Sequence, residues 1–221
     1  MIVGIDFDNT IVSYEGIFHA AAVERGLLPA DAPRHKQGVR DALRAMDREA
    51  DWTELQGYVY GPGLAAAPPY PLVAECIAFL LANGVQVHVV SHKTRYPYLG
   101  DRHDLHAAAR SWLVAQGFVD TGMLDESQVF LEQSKAEKLQ RIAALGCGYF
   151  IDDLEEFLTD PDFPATATPI LFRPQSSKTA SPAGGAPADR TLLTMESWAA
   201  ITDFFRALLP QNQPGEPGDC V

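Results

Sequence analysis

Carboxylates spaced to act together come at the very start of the sequence. The stretch IVGIDFDNTIV, residues 2–12, runs from an apolar segment into Asp6 and Asp8, with Thr10 two residues further on. Later, VQVHVVS ends in Ser91 and is followed by His92, Lys93, Thr94 and Arg95. GYFIDD ends in the adjacent pair Asp152 and Asp153, and Lys135 stands at the start of the helical pattern before it. Carboxylates can attack as nucleophiles, move protons or ligate a hard cation. A hydroxyl and an ammonium bind an anion. A lone aspartate after a strand is more often a solvated turn former, so the weight rests on whether these segments meet.

A parallel sheet would make them meet. Residues 2–7 form a short apolar run, β-branched at Ile2, Val3 and Ile5, which suits a central strand buried on both faces. Residues 85–91, 148–153 and 168–173 read as further strands. Helical stripes lie between them. One is Leu72, Val73, Cys76, Ile77, Phe79, Leu80 and Leu81, stopped by Gly84. Another is Leu105, Ala109, Trp112 and Leu113, stopped by Gly117. A third is Leu139, Ile142, Ala143 and Leu145, stopped by Gly146. Glycine after the last periodic residue is a good helix stop. Strand and helix alternating without a hairpin signal predicts an α/β fold with right-handed crossovers. In such a sheet ligands bind beyond the carboxyl ends of the strands, where all the residues named above fall.

Residues 14–68 break that rhythm. They hold no convincing strand, and helices are expected near 17–26, 36–49 and 51–58. GPGLAAAPPYP, residues 61–71, reads as a hinge. The simplest account is a small helical insertion between the first two sheet strands. Trp52, Tyr58 and Tyr60 within it suit a packing role better than a platform for a bound ring. Residues 174–190 are rich in Pro, Ser, Ala and Gly and read as a mobile loop, and 210–221 as a disordered tail. Between them lie a last short strand and a closing amphipathic helix.

Composition limits the partners. The 221 residues carry a net charge of −12, with 47% hydrophobic residues. A globular core is expected, and the acidic balance argues against nucleic acid and anionic membrane surfaces. No apolar run reaches the roughly 18 residues of a membrane span. The first strand reads as core rather than signal peptide. Cys76, Cys147 and Cys220 form no CxxC and are odd in number, so reduced thiols in a cytoplasmic setting are expected. HDLH, residues 103–106, puts two histidines three apart, but no third zinc ligand is evident.

The set resembles the haloacid-dehalogenase-like hydrolase superfamily. DFDNT (6–10) matches its first motif, HVVS ending at Ser91 its second, Lys135 its third and FIDD (150–153) its fourth, in the family's order. Response-regulator receivers use similar residues but place the paired acids first and the lysine last. The resemblance implies a Rossmann-like three-layer parallel-sheet core over 1–13 and 69–209, with a helical cap at 14–68 that closes over the site. It implies a phosphatase in which Asp6 is the nucleophile and Asp8 the general acid and then base. Asp6, Asp8 (through its backbone carbonyl), Asp152 and Asp153 would hold Mg²⁺, and Glu156 is an optional helper. Ser91 and Lys135 would bind the phosphoryl group. Lys138 competes with Lys135, which is preferred because it falls at the helix start. Thr10 would order the loop after the strand, and His92, Lys93 and Arg95 could line the pocket. Arg40, Arg44 and Tyr58 are cap residues that could contact a small phosphorylated metabolite. Phosphotransfer to a sugar, or a non-catalytic role on the same fold, are the alternatives. Dehalogenation is disfavoured, since a halide leaving group needs no second carboxylate.

The chemistry is consistent with that set. Phosphate monoester hydrolysis can require up to about 10²¹-fold acceleration, close to 29 kcal/mol at roughly 1.36 per decade. A carboxylate nucleophile divides the work into two steps. A cation, a lysine and a hydroxyl hold the charge of the group in flight.

Overall fold

The computed structural model describes residues 1–174 and 191–209. The tail expected at 210–221, and all but Pro174 of the expected mobile loop, lie outside the described residues. The strands are β1 (Ile2–Ile5), β2 (Gln86–His92), β3 (Val129–Glu132), β4 (Tyr149–Asp152), β5 (Thr168–Phe172) and β6 (Leu193–Met195). The helices are α1 (Ile17–Glu24), α2 (Lys36–Ala45), α3 (Glu49–Tyr60), α4 (Val73–Ala82), α5 (Leu105–Ala115), α6 (Lys135–Leu145), α7 (Glu155–Leu158) and α8 (Trp198–Leu208).

All six strands are parallel, in the order β3-β2-β1-β4-β5-β6. The chain builds outward from β1 on one side, returns, and builds outward on the other. The order therefore reverses beside β1, which is where a parallel sheet opens its crevice. Helices α4, α5 and α8 cover one face together with Val3, Ile5 and Phe7. Helices α6 and α7 cover the other, around Val90, Phe150, Phe163 and Leu171. The architecture is the expected three-layer α/β core. Gly4 explains the close fit of β1 to β4: a Cβ there would lie 2.5 Å from the Phe150 ring.

Strand β3 was not anticipated. It has four residues, two of them half-buried, and it lies at the sheet edge. Its place is held from outside: Gln128 donates to the Val87 carbonyl at 2.8 Å. The expected helix over 36–49 ends instead at Ala45, because Asp47 takes a left-handed backbone (φ 57°) that turns the chain into α3.

The insertion holds α1, α2 and α3. Its incoming and outgoing segments run side by side, with Ser13 N–H donating to Pro68 O at 2.9 Å and Tyr70 N–H to Ile11 O at 2.8 Å. Phe18, Val39, Leu43, Trp52, Leu55 and Val59 of the insertion belong to the same hydrophobic cluster as β1 and α5. The Trp112 indole of α5 donates to Ala67 O at 2.8 Å, fastening the outgoing segment to the core. Among the described residues, no helix is long and apolar enough to cross a membrane.

Candidate active site

The loop after β1 is a single tight turn. Ile11 and Val12 N–H both donate to Phe7 O at 3.1 Å, and Asn9 has φ 55°. The turn sends Asp6 and Asp8 to different neighbours. Asp6 continues the line of β1, its N–H donating to Ile151 O of β4 at 2.9 Å. That sets it beside Asp152, the last residue of β4. Thr10 is fully buried and its carbonyl accepts from the Trp198 indole at 3.0 Å, which anchors the turn to α8.

Lys138 joins the two strand ends. Its ammonium donates to Asp6 Oδ1 and to Asp152 Oδ2, both at 2.6 Å, and all three side chains are buried. Burial works against the charged lysine, but Asp152 and Asp6 together raise its pKa above the ordinary value. Lys135, expected in this position, is half-exposed and paired with Asp160 at 2.5 Å. The reason is direction. Side chains on a helix lean toward its N-terminus. A lysine in the first turn of α6 therefore points past the strand ends, and one a turn later reaches back over them. Ser134 fixes where that turn begins, accepting from Glu137 N–H at 3.2 Å while the Glu137 carboxylate accepts from Ser134 N–H at 3.0 Å.

Asp8 is held apart from this cluster. Lys93 Nζ donates to its two oxygens at 2.9 and 2.7 Å, and the Tyr14 hydroxyl donates to Oδ1 at 2.5 Å. Lys93 follows β2 in the strand's alternation. Ser91 and Lys93 are buried, while His92 between them is exposed. His106 Nε2 lies 2.7 Å from Lys93 O and steadies that backbone, which gives this histidine a structural partner rather than a metal. Arg95 is exposed and pairs with Asp104 at 3.0 Å. Of the pocket-lining residues expected after β2, Lys93 reaches the Asp8 carboxylate, whereas His92 is exposed and Arg95 turns to Asp104.

The acids themselves are crowded. Asp6, Asp152 and Asp153 each offer an oxygen within 4.8 Å of the others, the one group among the described residues able to hold a metal ion. Burial pushes the Asp6 carboxyl up to about 7; Lys138 opposes the shift, and Asp152 and Asp8 add to it. Asp153 is pushed well above the ordinary carboxylate range by burial, then by Asp152 and Asp6. These are oxygen donors, two of them buried and Asp153 half-buried, mutually repelling and with one ammonium, that of Lys138, among three acids. That set fits a hard divalent cation such as Mg²⁺. The Asp8 carboxylate is not in the group, and Glu156 is exposed and outside it.

The insertion adds three residues that sequence reasoning did not place at the site: Tyr14 and Lys36, which it passed over, and Tyr60, which it assigned to packing. Tyr14 caps Asp8, and burial followed by the Asp8 charge holds its phenol well above the ordinary value. Tyr60 lies under Lys93 Nζ, 4.8 Å from its ring centroid. Lys36 donates to the Tyr60 hydroxyl at 2.7 Å. Tyr14 alone carried a signal, its closeness to the first motif. Arg44 and Tyr58, expected to contact substrate, are engaged elsewhere: Arg44 with Glu49, and Tyr58 under the Arg25 guanidinium at 4.7 Å. Arg40 pairs with its neighbour Asp41 at 3.4 Å.

No family model and no curated protein matches the sequence. Solved structures do match. A haloacid-dehalogenase-like family hydrolase from Xanthomonas campestris aligns with TM-score 0.56 at 13% identity, covering 95% of this chain and 96% of that one. A HAD family hydrolase from Deinococcus radiodurans R1, crystallised with phosphate and sodium, aligns with TM-score 0.56 at 20% identity over 96% and 98%. A predicted phosphoglycolate phosphatase from Haemophilus somnus aligns with TM-score 0.52 at 14% identity over 92% and 97%. Other chains of this shape are described as dehalogenases. With the motif residues and the reversal of strand order at β1, these alignments show that the chain has the fold of the haloacid-dehalogenase-like hydrolases.

Proposed function

We propose that the protein is a Mg²⁺-dependent phosphatase that hydrolyses small phosphorylated metabolites through an aspartyl-phosphate on Asp6. The observation that carries this reading is the division of the acids. Asp6 is bound to Lys138 and grouped with Asp152 and Asp153, while Asp8 is held separately by Lys93 and Tyr14. A nucleophile and a proton donor need that separation. Asp6, Asp152, Asp153 and the Asp8 backbone carbonyl would hold the ion. When bound, Mg²⁺ supplies positive charge that screens the phosphoryl group from the carboxylates.

In the first step an Asp6 oxygen forms a bond to phosphorus and the ester oxygen leaves, taking a proton from Asp8. In the second, water loses a proton to Asp8 and attacks the same phosphorus. The Asp6–phosphorus bond breaks, and phosphate departs with Asp6 and Asp8 restored. Lys138 and Ser91 hold the equatorial oxygens, whose charge must be stabilised in flight. Tyr14 of the insertion donates to Asp8, with the Tyr60 ring against Tyr14 and Lys36 on the Tyr60 hydroxyl, so a bulky phosphoprotein would be excluded and a small substrate admitted. The buried free thiols Cys76 and Cys147 suit a reducing, cytoplasmic setting. Phosphotransfer to a second substrate would use the same residues, with an alcohol in place of water.

Dehalogenation would need neither Asp8 nor the acid group, since halide leaves without a proton. The test is phosphate release by the purified protein from a panel of small phosphate esters and from folded phosphoproteins, with Mg²⁺ and with excess chelator. Turnover of small esters that needs Mg²⁺ and is lost in Asp6→Asn is expected. Wild-type-like turnover by folded Asp6→Asn protein, or halide release in place of phosphate release, would refute the reading.

A further inference from the structure

Lys36 has no anion. Among the described residues, Lys93, Lys135 and Lys138 each pair with a carboxylate. The Lys36 ammonium instead donates to Tyr60 Oη at 2.7 Å and lies over the rings of Phe18 and Tyr60, 5.4 and 5.5 Å from their centroids. Lys36 is half-buried, and holding an ammonium partly out of water without a paired carboxylate is costly. A phenol solvates that charge but does not neutralise it. Burial works to lower the Lys36 pKa, yet Tyr60, then Asp153 and Asp8, raise it above the ordinary lysine value, so the group stays charged.

Its position is informative. Asp8 is held by Lys93, Lys93 lies on the Tyr60 ring, and the Tyr60 hydroxyl meets Lys36. This row leads from the proton donor into the insertion, and at its far end Lys36 still feels the charges of Asp153 and Asp8, so the ammonium faces the site from the insertion side. Asp8 faces the leaving oxygen, so Lys36 lies where the rest of the leaving group must go.

We infer that Lys36 and Tyr60 form a subsite for a carboxylate carried by the leaving group, so that the substrate is a phosphorylated hydroxy acid. The inference rests on the phosphatase reading for its account of Asp8. Two donors suit a carboxylate: the ammonium gives an ion pair, and the Tyr60 hydroxyl, which now accepts from Lys36, has its own proton to donate. A second phosphate would call for more donors than this pair supplies. The aromatic rings beside the ammonium suit a short carbon chain.

The experiment measures binding by calorimetry, with Mg²⁺ present, of 2-carboxyethylphosphonate and of its amide. The two have the same shape, differ in that charge and cannot be hydrolysed. The carboxylate should bind at least about tenfold more tightly, the scale of one charged hydrogen bond. Lys36→Met should bring the ratio close to one, and Lys36→Arg should restore most of it. Equal affinities in the wild type, or a Lys36→Met protein that keeps the preference, would overturn the subsite. Wild-type hydrolysis of p-nitrophenyl phosphate is measured in parallel. A carboxylate preference without Mg²⁺-dependent hydrolysis would leave the subsite standing and sink the phosphatase reading instead.

Discussion

Two lysines three residues apart on α6 have different tasks. Among the described residues Lys138 is the sole ammonium on Asp6 and Asp152, so Lys138→Met should lower kcat/KM by about 10²–10³-fold, the usual loss on removing one donor to transition-state charge. Lys135→Met loses a half-exposed pair with Asp160, worth about 0–1 kcal/mol of stability at most, and should leave turnover near wild type. Kinetics of the two variants side by side would expose the reverse assignment at once. Lys93 donates to both oxygens of Asp8, and under the proposed function it should therefore be a positioning residue. Lys93→Met should slow alkyl phosphates, whose leaving oxygen needs a proton, more than aryl phosphates, which leave unaided. An unchanged alkyl-to-aryl rate ratio would remove Lys93 from that role. Tyr14→Phe should shift the ratio in the same direction and by less.

At the scale of the element, the site is the meeting of the ends of β1 and β4, and it is built at a cost in stability. Asp6 is raised to about 7, and Asp153 is raised well above the ordinary carboxylate range. A carboxyl with a raised folded-state pKa binds its proton more tightly in the native protein than in the unfolded chain. Its contribution is complete below the unfolded pKa of about 4 and is lost as pH rises through the folded value. Metal-free protein should therefore melt at lower temperature as pH rises from 6.5 to 8.5. His88, whose pKa burial lowers, opposes this trend near its unfolded value of about 6.5, and the buried thiols, whose pKa burial raises, reinforce it toward pH 8.5. Mg²⁺ at about 100 times its Kd should restore roughly 2.7 kcal/mol, or about 5–10 °C. Asp153→Asn should raise the metal-free melting temperature at pH 8 by about 2–4 °C for each kcal/mol of repulsion relieved, and should shrink the Mg²⁺ response. Calorimetric scans that showed Asp153→Asn less stable without metal would contradict this account of the acids.

Across the whole molecule the helical insertion is a continuation of the core. Phe18, Trp52 and Leu55 share a cluster with Phe7 and Trp112, and Phe7 meets Trp112 edge-on at 5.4 Å. Gly57 of α3 lies so close to Pro97 of the loop after β2 that a Cβ would come within 2.7 Å. Contacts this continuous should make the chain unfold in one step. Denaturation followed by tryptophan emission and by far-ultraviolet dichroism should give coincident curves. The emission arises from Trp52 in the insertion and from Trp112 and Trp198 outside it. Two separated transitions would mean that the insertion is an independent unit.

Much of this molecule is local, and local features can be read along the chain. The apolar run before Asp6, the glycines after α4, α5 and α6 and the helical rhythm of 14–68 depend on near neighbours. They point to an α/β core with a helical insertion before any contact is known. Strand-end position likewise brings Asp6, Asp152 and Asp153 together, because parallel strands place their carboxyl ends on one edge. What depends on distance and direction is not written in spacing. Lys135 and Lys138 occupy equivalent places on the stripe with Leu139 and Ile142, and the backward lean of helical side chains over the strand ends is what separates them. Edge strand β3 takes its identity from β2. Lys36 looks like any surface lysine at a helix start until α2 folds it against Tyr60, 24 positions further along the chain. Burial is a property of the assembled fold, and burial is what turns ordinary lysines and aspartates into groups with work to do.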